Sequence, residues 1–432
     1  MSQHLPPHLH LNSNVRGVKP SATIAINARS RHLQTQGRRI VRLGLGQSPF
    51  PVPEVVVEAL RAHAHEKDYL PARGLPALRE AVAGYLNRSQ GLSLPADHVL
   101  IGPGSKELLF LLQLIHAGEL VIPAPSWVSY APQARILGRQ PTWLATDHAT
   151  GLGVTAQRLD AACRDHPDRA RLLILNYPGN PTGTSYGEQQ LREIAAVARR
   201  YRILVLADEI YGELDFAGTH CSIARFYPEG TIISGGLSKW CGAGGWRLGA
   251  FAFPPELSEL ADNMAAVASE TFTSVSAPIQ FAAVRAFQGG PEIDDYLARS
   301  RAVLGGLLRF AWQALLDAGA RVCEPSGGFY LFPDFADHGE ALARRGIRDG
   351  VTLTERLLEE TGVACLPGAD FGRPEHELSL RLALVDFDGA AALHALPATG
   401  PGGAYDVTHS FLERYCAPSV DGVRALCHWI RG

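Results

Sequence analysis

An excess of one charge, paired cysteines, long apolar runs and internal repeats are all missing from this chain. Its 40 Lys and Arg face 43 Asp and Glu, for a net charge of −3 over 432 residues. That balance gives no electrostatic reason to expect nucleic acid or an anionic membrane as partner. No apolar stretch approaches the roughly 20 residues a membrane helix needs, so no span is expected. The segment 1–14, MSQHLPPHLHLNSN, lacks the apolar core of a secretory signal and the Arg-rich pattern of a transit peptide. The seven cysteines, at 163, 221, 241, 323, 365, 416 and 427, are odd in number and include no CxxC pair. They fit free thiols in a reducing compartment, and a cytoplasmic location is expected. His4, His8 and His10 lie in a Pro-containing stretch that reads as a tail, and no metal site is expected.

What is present is ordinary globular composition, 46% apolar and 19% charged, with enough chain for one large core and a smaller one. Residues 1–40 are polar and irregular and read as an arm. Beyond them helical and strand-like stretches alternate. Helices are expected at 53–64, 74–86, 105–115, 188–200 and about 291–318. Short apolar strands are expected at 98–101, 119–122, 171–175, 203–207, 231–234 and 247–253. Such strands separated by helices point to an α/β fold with a largely parallel sheet. Strands at 327–332, 363–366 and 378–383 suggest a smaller α+β unit, while 388–406 reads as a loop and 420–430 as a closing helix. The expected organisation is an arm and part of a small domain over 1–50, a large domain over 51–300 and a small C-terminal domain over 301–432.

The chemistry concentrates at the ends of these strands. In Ile233-Ser-Gly-Gly-Leu-Ser-Lys-Trp-Cys-Gly-Ala-Gly-Gly-Trp-Arg-Leu-Gly249, a lysine follows a strand in a run of small residues. Gly242, Gly244 and Gly245 allow close approach of the backbone to a ligand. Lys239 offers an amine and Arg247 a planar cationic fork, a combination suited to a covalent cofactor carrying phosphate. Asn176-Tyr-Pro-Gly-Asn-Pro-Thr-Gly183 follows another strand, and Ala207-Asp-Glu-Ile-Tyr-Gly212 a third. Alone these read as a turn and a helix cap, yet ligands in α/β sheets bind off such strand ends. Ile101-Gly-Pro-Gly-Ser-Lys-Glu107 opens a helix, where backbone amides and the dipole favour phosphate. Arg381 lies in the apolar stretch 379–383, where a cation needs a partner.

Together these segments resemble the class I/II aminotransferases of fold type I, the aspartate aminotransferase family, over about 15–385. The family patterns are Ser-x-Ser-Lys followed by Gly-Trp-Arg-x-Gly, and Asn-Pro-x-Asn-Pro-Thr-Gly. Here Gly236 stands at the first Ser, which in the family donates to the phosphate, and Tyr177 replaces one residue of the second pattern. The resemblance implies pyridoxal 5'-phosphate (PLP) as cofactor, a large domain with a mostly parallel sheet sandwiched by helices, and a smaller α+β domain. It implies that Lys239 forms the Schiff base, that Asp208 pairs with the pyridine nitrogen, and that Tyr211 and Asn180 bond the phenolic oxygen. Gly104, Ser105, Lys106, Ser238 and Arg247 would hold the phosphate, with Tyr69 from a neighbouring subunit, and Trp127 would stack on the ring. Gly46, Asn180 and Arg381 would bind substrate, and in some branches a lysine at position 106 reaches a distal carboxylate. The implied activity is transfer of an amino group between an L-amino acid, with aspartate or glutamate the first expectation, and a 2-oxo acid by ping-pong kinetics, in a homodimer with shared sites. C–S lyases and specialised biosynthetic transaminases of the same fold remain open at this point.

Overall fold

The computed structural model describes residues 10–396 and 405–432, so His4, His8 and part of the expected 388–406 loop lie outside the described residues. Its centre is a seven-stranded sheet of β2 (Val99–Gly102), β3 (Glu119–Ala124), β4 (Thr142–Ala145), β5 (Arg171–Asn176), β6 (Leu204–Asp208), β7 (Thr231–Gly236) and β8 (Gly249–Ala252). The spatial order is β2-β8-β7-β6-β5-β3-β4, and β8 alone runs antiparallel to its neighbours. Both faces are covered, which is why these strands read as continuous apolar runs. Leu172 and Ile174 point to one side, where they meet Leu108 and Leu112 of the helix Ser105–Ile115 and Met264 of Ser258–Thr271. Leu173 and Leu175 point to the other, against Leu191 and Ile194 of Glu188–Arg200. The two-residue strand period thus divides one sequence between two cores.

A second, smaller set of strands sits apart from this sheet. β9 (Tyr330–Leu331), β11 (Leu366–Pro367) and β12 (Leu380–Ala383) form an antiparallel sheet in the order β11-β12-β9. β1 (Val41–Arg42) pairs in parallel with β10 (Val363–Ala364), which ties the N-terminal region to the C-terminal third. The long helix Pro291–Asp317 begins with proline at its first turn, where the missing N–H costs nothing. It packs against the closing helix Ala417–Arg431.

Two expectations are corrected. Residues 22–35, read as part of an irregular arm, form a helix after Ser21; it buries only Ser30, so its apolar pattern is weak. Residues 389–395, read as loop, form the helix Gly389–Ala395, whose first turn is capped by the Asp388 side chain accepting from the amide of Ala391. Among the described residues no helix is long and apolar enough to cross a membrane.

Candidate active site

The carboxyl ends of adjacent parallel strands open on one crevice. Asn176 at the end of β5 stands beside Asp208 at the end of β6, which stands beside Ser234 in β7. Strand pairing therefore sets the spacing of the loops that follow. The side chain of Asn176 clamps two of them: its Nδ2 donates to the Asp208 carbonyl at 2.8 Å and its Oδ1 accepts from the Asn180 amide at 2.7 Å. Asp208 is 3% exposed. Tyr130 donates to its Oδ2 at 2.5 Å and Ser234 to Oδ1 at 3.5 Å, yet no basic side chain lies within ion-pair distance among the described residues. Burial pushes the Asp208 carboxyl up to about 6, against the pull of Tyr130 and Lys239.

Lys239 follows β7 and donates to the Gly46 carbonyl at 2.9 Å, with Tyr211 and Phe329 rings beside its amine at 5.6 and 5.9 Å. The residue keeps some access to solvent, while its amine is enclosed. Burial, then Arg381, lower its pKa to about 8, which leaves a usable fraction of neutral amine near neutral pH.

On the opposite wall, Arg381 of β12 is 0% exposed. It donates to Asn180 Oδ1 at 3.2 Å and to the Gly44 carbonyl, and lies over the rings of Tyr330 and Phe371 at 4.8 and 5.1 Å. Its Nε has no partner, and no acid within the described residues forms an ion pair with it. A buried cation left in this state is built to meet an anion from outside the chain.

At the rim, the helix Ser105–Ile115 starts after Gly104, whose φ of 90° suits glycine. A Cβ at Gly104 would fall 2.2 Å from Arg247 Nη2, so the guanidinium lies directly on that helix start. Arg247 is itself held at φ 59° and donates to the Gly244 and Pro103 carbonyls at 2.9 and 3.3 Å. Exposed amides at the helix start and a planar cation make an anion cradle. Lys106 sits 5.1 Å over the Trp127 ring, and burial, then Arg247, lower its pKa. The departure at Gly236 has a steric cause: a Cβ there would meet the Leu248 carbonyl oxygen at 2.7 Å and the Gly249 Cα at 3.0 Å, because β7 and β8 pair closely.

Contacts join Gly46, Lys239, Tyr211, Asn180 and Arg381, and Asp208, Arg247 and Lys106 lie close enough to act electrostatically on the Lys239 amine. Gly104 and Ser105 open the helix against Arg247, Trp127 lies under Lys106, and Ser238 precedes Lys239. Tyr69 is 91% exposed and joins none of them within this chain. Tyr130 and Tyr330 went unassigned in the sequence. Tyr130 sits three residues after Trp127, whose ring meets it edge-on at 5.3 Å, so the aromatic pair was the available signal. Tyr330 bonds Tyr211, hydroxyl to hydroxyl, at 2.8 Å, a contact between distant segments. The cleft offers a depressed amine, a buried carboxylate without a cation, an anion cradle and an unpaired guanidinium. Those are partners for an aldehyde, a pyridinium, a phosphate and a carboxylate, so the residues fit pyridoxal phosphate and an amino acid.

The Asp208 carboxyl has a consequence for stability. Its pKa rises on folding, so the neutral form stabilises the cofactor-free protein fully below the unfolded value of 3.8, and this is lost as pH climbs through about 6. Asp208→Asn is expected to gain stability over wild type across that window, on the order of 2–3 kcal/mol. Denaturant unfolding of both proteins at pH 4 and pH 7.5 checks it; a constant difference would refute the shift.

Comparisons with known proteins point to one family. The family described as aminotransferase class I and II matches residues 38–388. The aspartate aminotransferase of Geobacillus stearothermophilus is 32% identical over 416 residues, covering 94% of this chain and 99% of that protein. An asparagine–oxo-acid transaminase of Streptococcus mutans is 32% identical, covering 85% of this chain and 93% of its own. The structure of an aspartate aminotransferase from Thermus thermophilus with maleate superposes with a TM-score of 0.80 at 31% identity, covering 90% of this chain and 97% of that one.

Proposed function

This chain belongs to the class I and II aminotransferases and is a pyridoxal-phosphate-dependent transaminase of fold type I, and from that premise we propose that its preferred substrates carry a second carboxylate, with Lys239 as the catalytic amine. The observation that carries the substrate reading is a pair of cations without acids. Arg381 is fully buried and Lys106 is half-buried, and neither forms an ion pair among the described residues. Arg381 suits the α-carboxylate, gripped through two parallel N–H bonds. Lys106, held over Trp127, suits a distal carboxylate such as that of aspartate or glutamate. Relatives named for aspartate, and a structural neighbour solved with the dicarboxylate maleate, support the same choice.

Bound pyridoxal phosphate supplies an aldehyde that captures amines and a ring that accepts the electrons left when the α-proton departs. The chain does the rest. The Lys239 amine, at a pKa near 8, takes and returns the α-proton, a positioned transfer worth roughly 10²–10⁴-fold. Asp208 sets a buried negative charge at the cleft floor, which favours a protonated ring nitrogen. Tyr211 and Asn180 would hold the ring oxygen through hydrogen bonds, and Trp127 would pack on the ring. Arg247, Ser238 and the Gly104–Lys106 amides would hold the phosphate, with no hydroxyl at Gly236 to add to them. Tyr69, exposed on this chain, reaches the phosphate of a second copy in a homodimer in the cytoplasm. The division into a large unit over 51–300 and a small one over 301–432 with part of 1–50 is supported by the separate small sheet and by the β1–β10 pairing.

A donor panel against 2-oxoglutarate, pyruvate and oxaloacetate tests the substrate reading. Aspartate and glutamate are expected to exceed alanine and the aromatic amino acids in kcat/KM. Lys106→Ala is expected to lower kcat/KM for aspartate by about 10–100-fold, the value of a charge-assisted hydrogen bond, and to leave alanine nearly unchanged. Equal losses for both donors would refute the distal role.

A further inference from the structure

The reading above gives Tyr330 no task, yet it touches Tyr211, Gly46 and Arg381. It belongs to β9 of the small sheet and is 1% exposed. Its hydroxyl lies 2.8 Å from that of Tyr211, and either oxygen can be the donor. A Cβ at Gly46 would fall 1.9 Å from the Tyr330 hydroxyl, so the glycine makes room for it, and the Gly46 carbonyl holds the Lys239 amine. The Arg381 guanidinium rests 4.8 Å above its ring.

A phenol hydroxyl carries one proton and two acceptor positions. If Tyr211 gives its proton to the cofactor's ring oxygen, it can no longer give it to Tyr330. The short contact between them then survives only if Tyr330 becomes the donor. Burial pushes both phenols upward, so neither ionises near neutral pH and both protons stay available. We propose that Tyr330 is a positioning residue that donates its hydroxyl proton to Tyr211 in the loaded enzyme, and thereby strengthens Tyr211's own bond to the ring oxygen. The strengthening follows from polarisation along a chain of hydrogen bonds in a low dielectric. This inference rests on the role given to Tyr211.

The test is a pH titration of the visible absorbance of the holoenzyme, which reports how readily the bound cofactor gives up its proton. Donation to the ring oxygen stabilises the deprotonated form and lowers the midpoint. Tyr330→Phe keeps the ring against Phe329 and Arg381 and removes only the hydroxyl. It is expected to raise the midpoint by about half to one pH unit. Tyr211→Phe is expected to raise it further, and the double variant to match Tyr211→Phe alone, because the second hydroxyl acts through the first. If Tyr211→Phe moves the midpoint while Tyr330→Phe does not, or if the two shifts add, Tyr330 has no such role and Tyr211 keeps its own. If neither moves it, both assignments fall.

Discussion

Lys239→Ala is expected to fold, to show no visible absorbance of a covalently held cofactor, and to lose at least about 10²–10⁴-fold in turnover. The effects arise together because one amine serves two tasks. In the proposed mechanism it would anchor the cofactor and, once released, move the proton of the substrate carbon. Nothing else in the cleft replaces it. Lys106 is engaged with the Trp127 face, and the guanidiniums of Arg247 and Arg381 do not act as bases at any ordinary pH. Folding is spared because, among the described residues, the Lys239 amine makes a single hydrogen bond, to the Gly46 carbonyl, and burial works against its charged form. The pKa is lowered on folding, so wild type carries this penalty at neutral pH and sheds it as pH rises from about 8 towards 10.5. Circular dichroism, an absorbance spectrum with pyridoxal phosphate, and borohydride trapping check the three parts. Retained turnover in a folded variant would remove Lys239 from the mechanism.

The strand-end loops were legible in the sequence because each is a local string whose chemistry travels with it. Lys239, Asp208, Asn180 and the Gly104–Lys106 turn all follow apolar strands read correctly as strands; parallel pairing brings the first three together, and the antiparallel β8 joins β2 to them. What escaped depends on meetings between distant segments. Tyr130 reaches Asp208 across 78 residues and Tyr330 reaches Tyr211 across 119, and no local pattern marks either contact. The edge strand β4 was missed because Thr142–Ala145 is short and only partly buried. The helix Gly389–Ala395 was taken for a loop because glycine and proline around it outweighed its alanines and its Asp388 cap. Tyr69 was singled out by its motif alone; within one chain it stands in solvent, and its proposed task requires a second copy.

Arg381→Leu should separate binding from folding more sharply than any other substitution. Kinetically it is expected to lower kcat/KM for every amino acid and 2-oxo acid by at least about 100-fold, since two charge-assisted hydrogen bonds of roughly 1.5–3 kcal/mol each are removed. The other buried arginine among the described residues, Arg171, sits 3.3 Å from Glu119. Among the described residues Arg381 has only the Asn180 side-chain oxygen, the Gly44 carbonyl and two aromatic faces, and burial lowers its pKa. Exchanging such an uncompensated buried cation for an apolar residue of similar bulk tends to be neutral or stabilising by about 1–4 kcal/mol. The unfolding midpoint of the cofactor-free variant is therefore expected to equal or exceed that of wild type while substrate affinity collapses. Asn180 Oδ1 and the Gly44 carbonyl would lose the N–H donors of Arg381 and need water in their place. An unchanged KM and kcat, or a midpoint lowered by several degrees, would make Arg381 a structural cation and deprive the cleft of its carboxylate anchor.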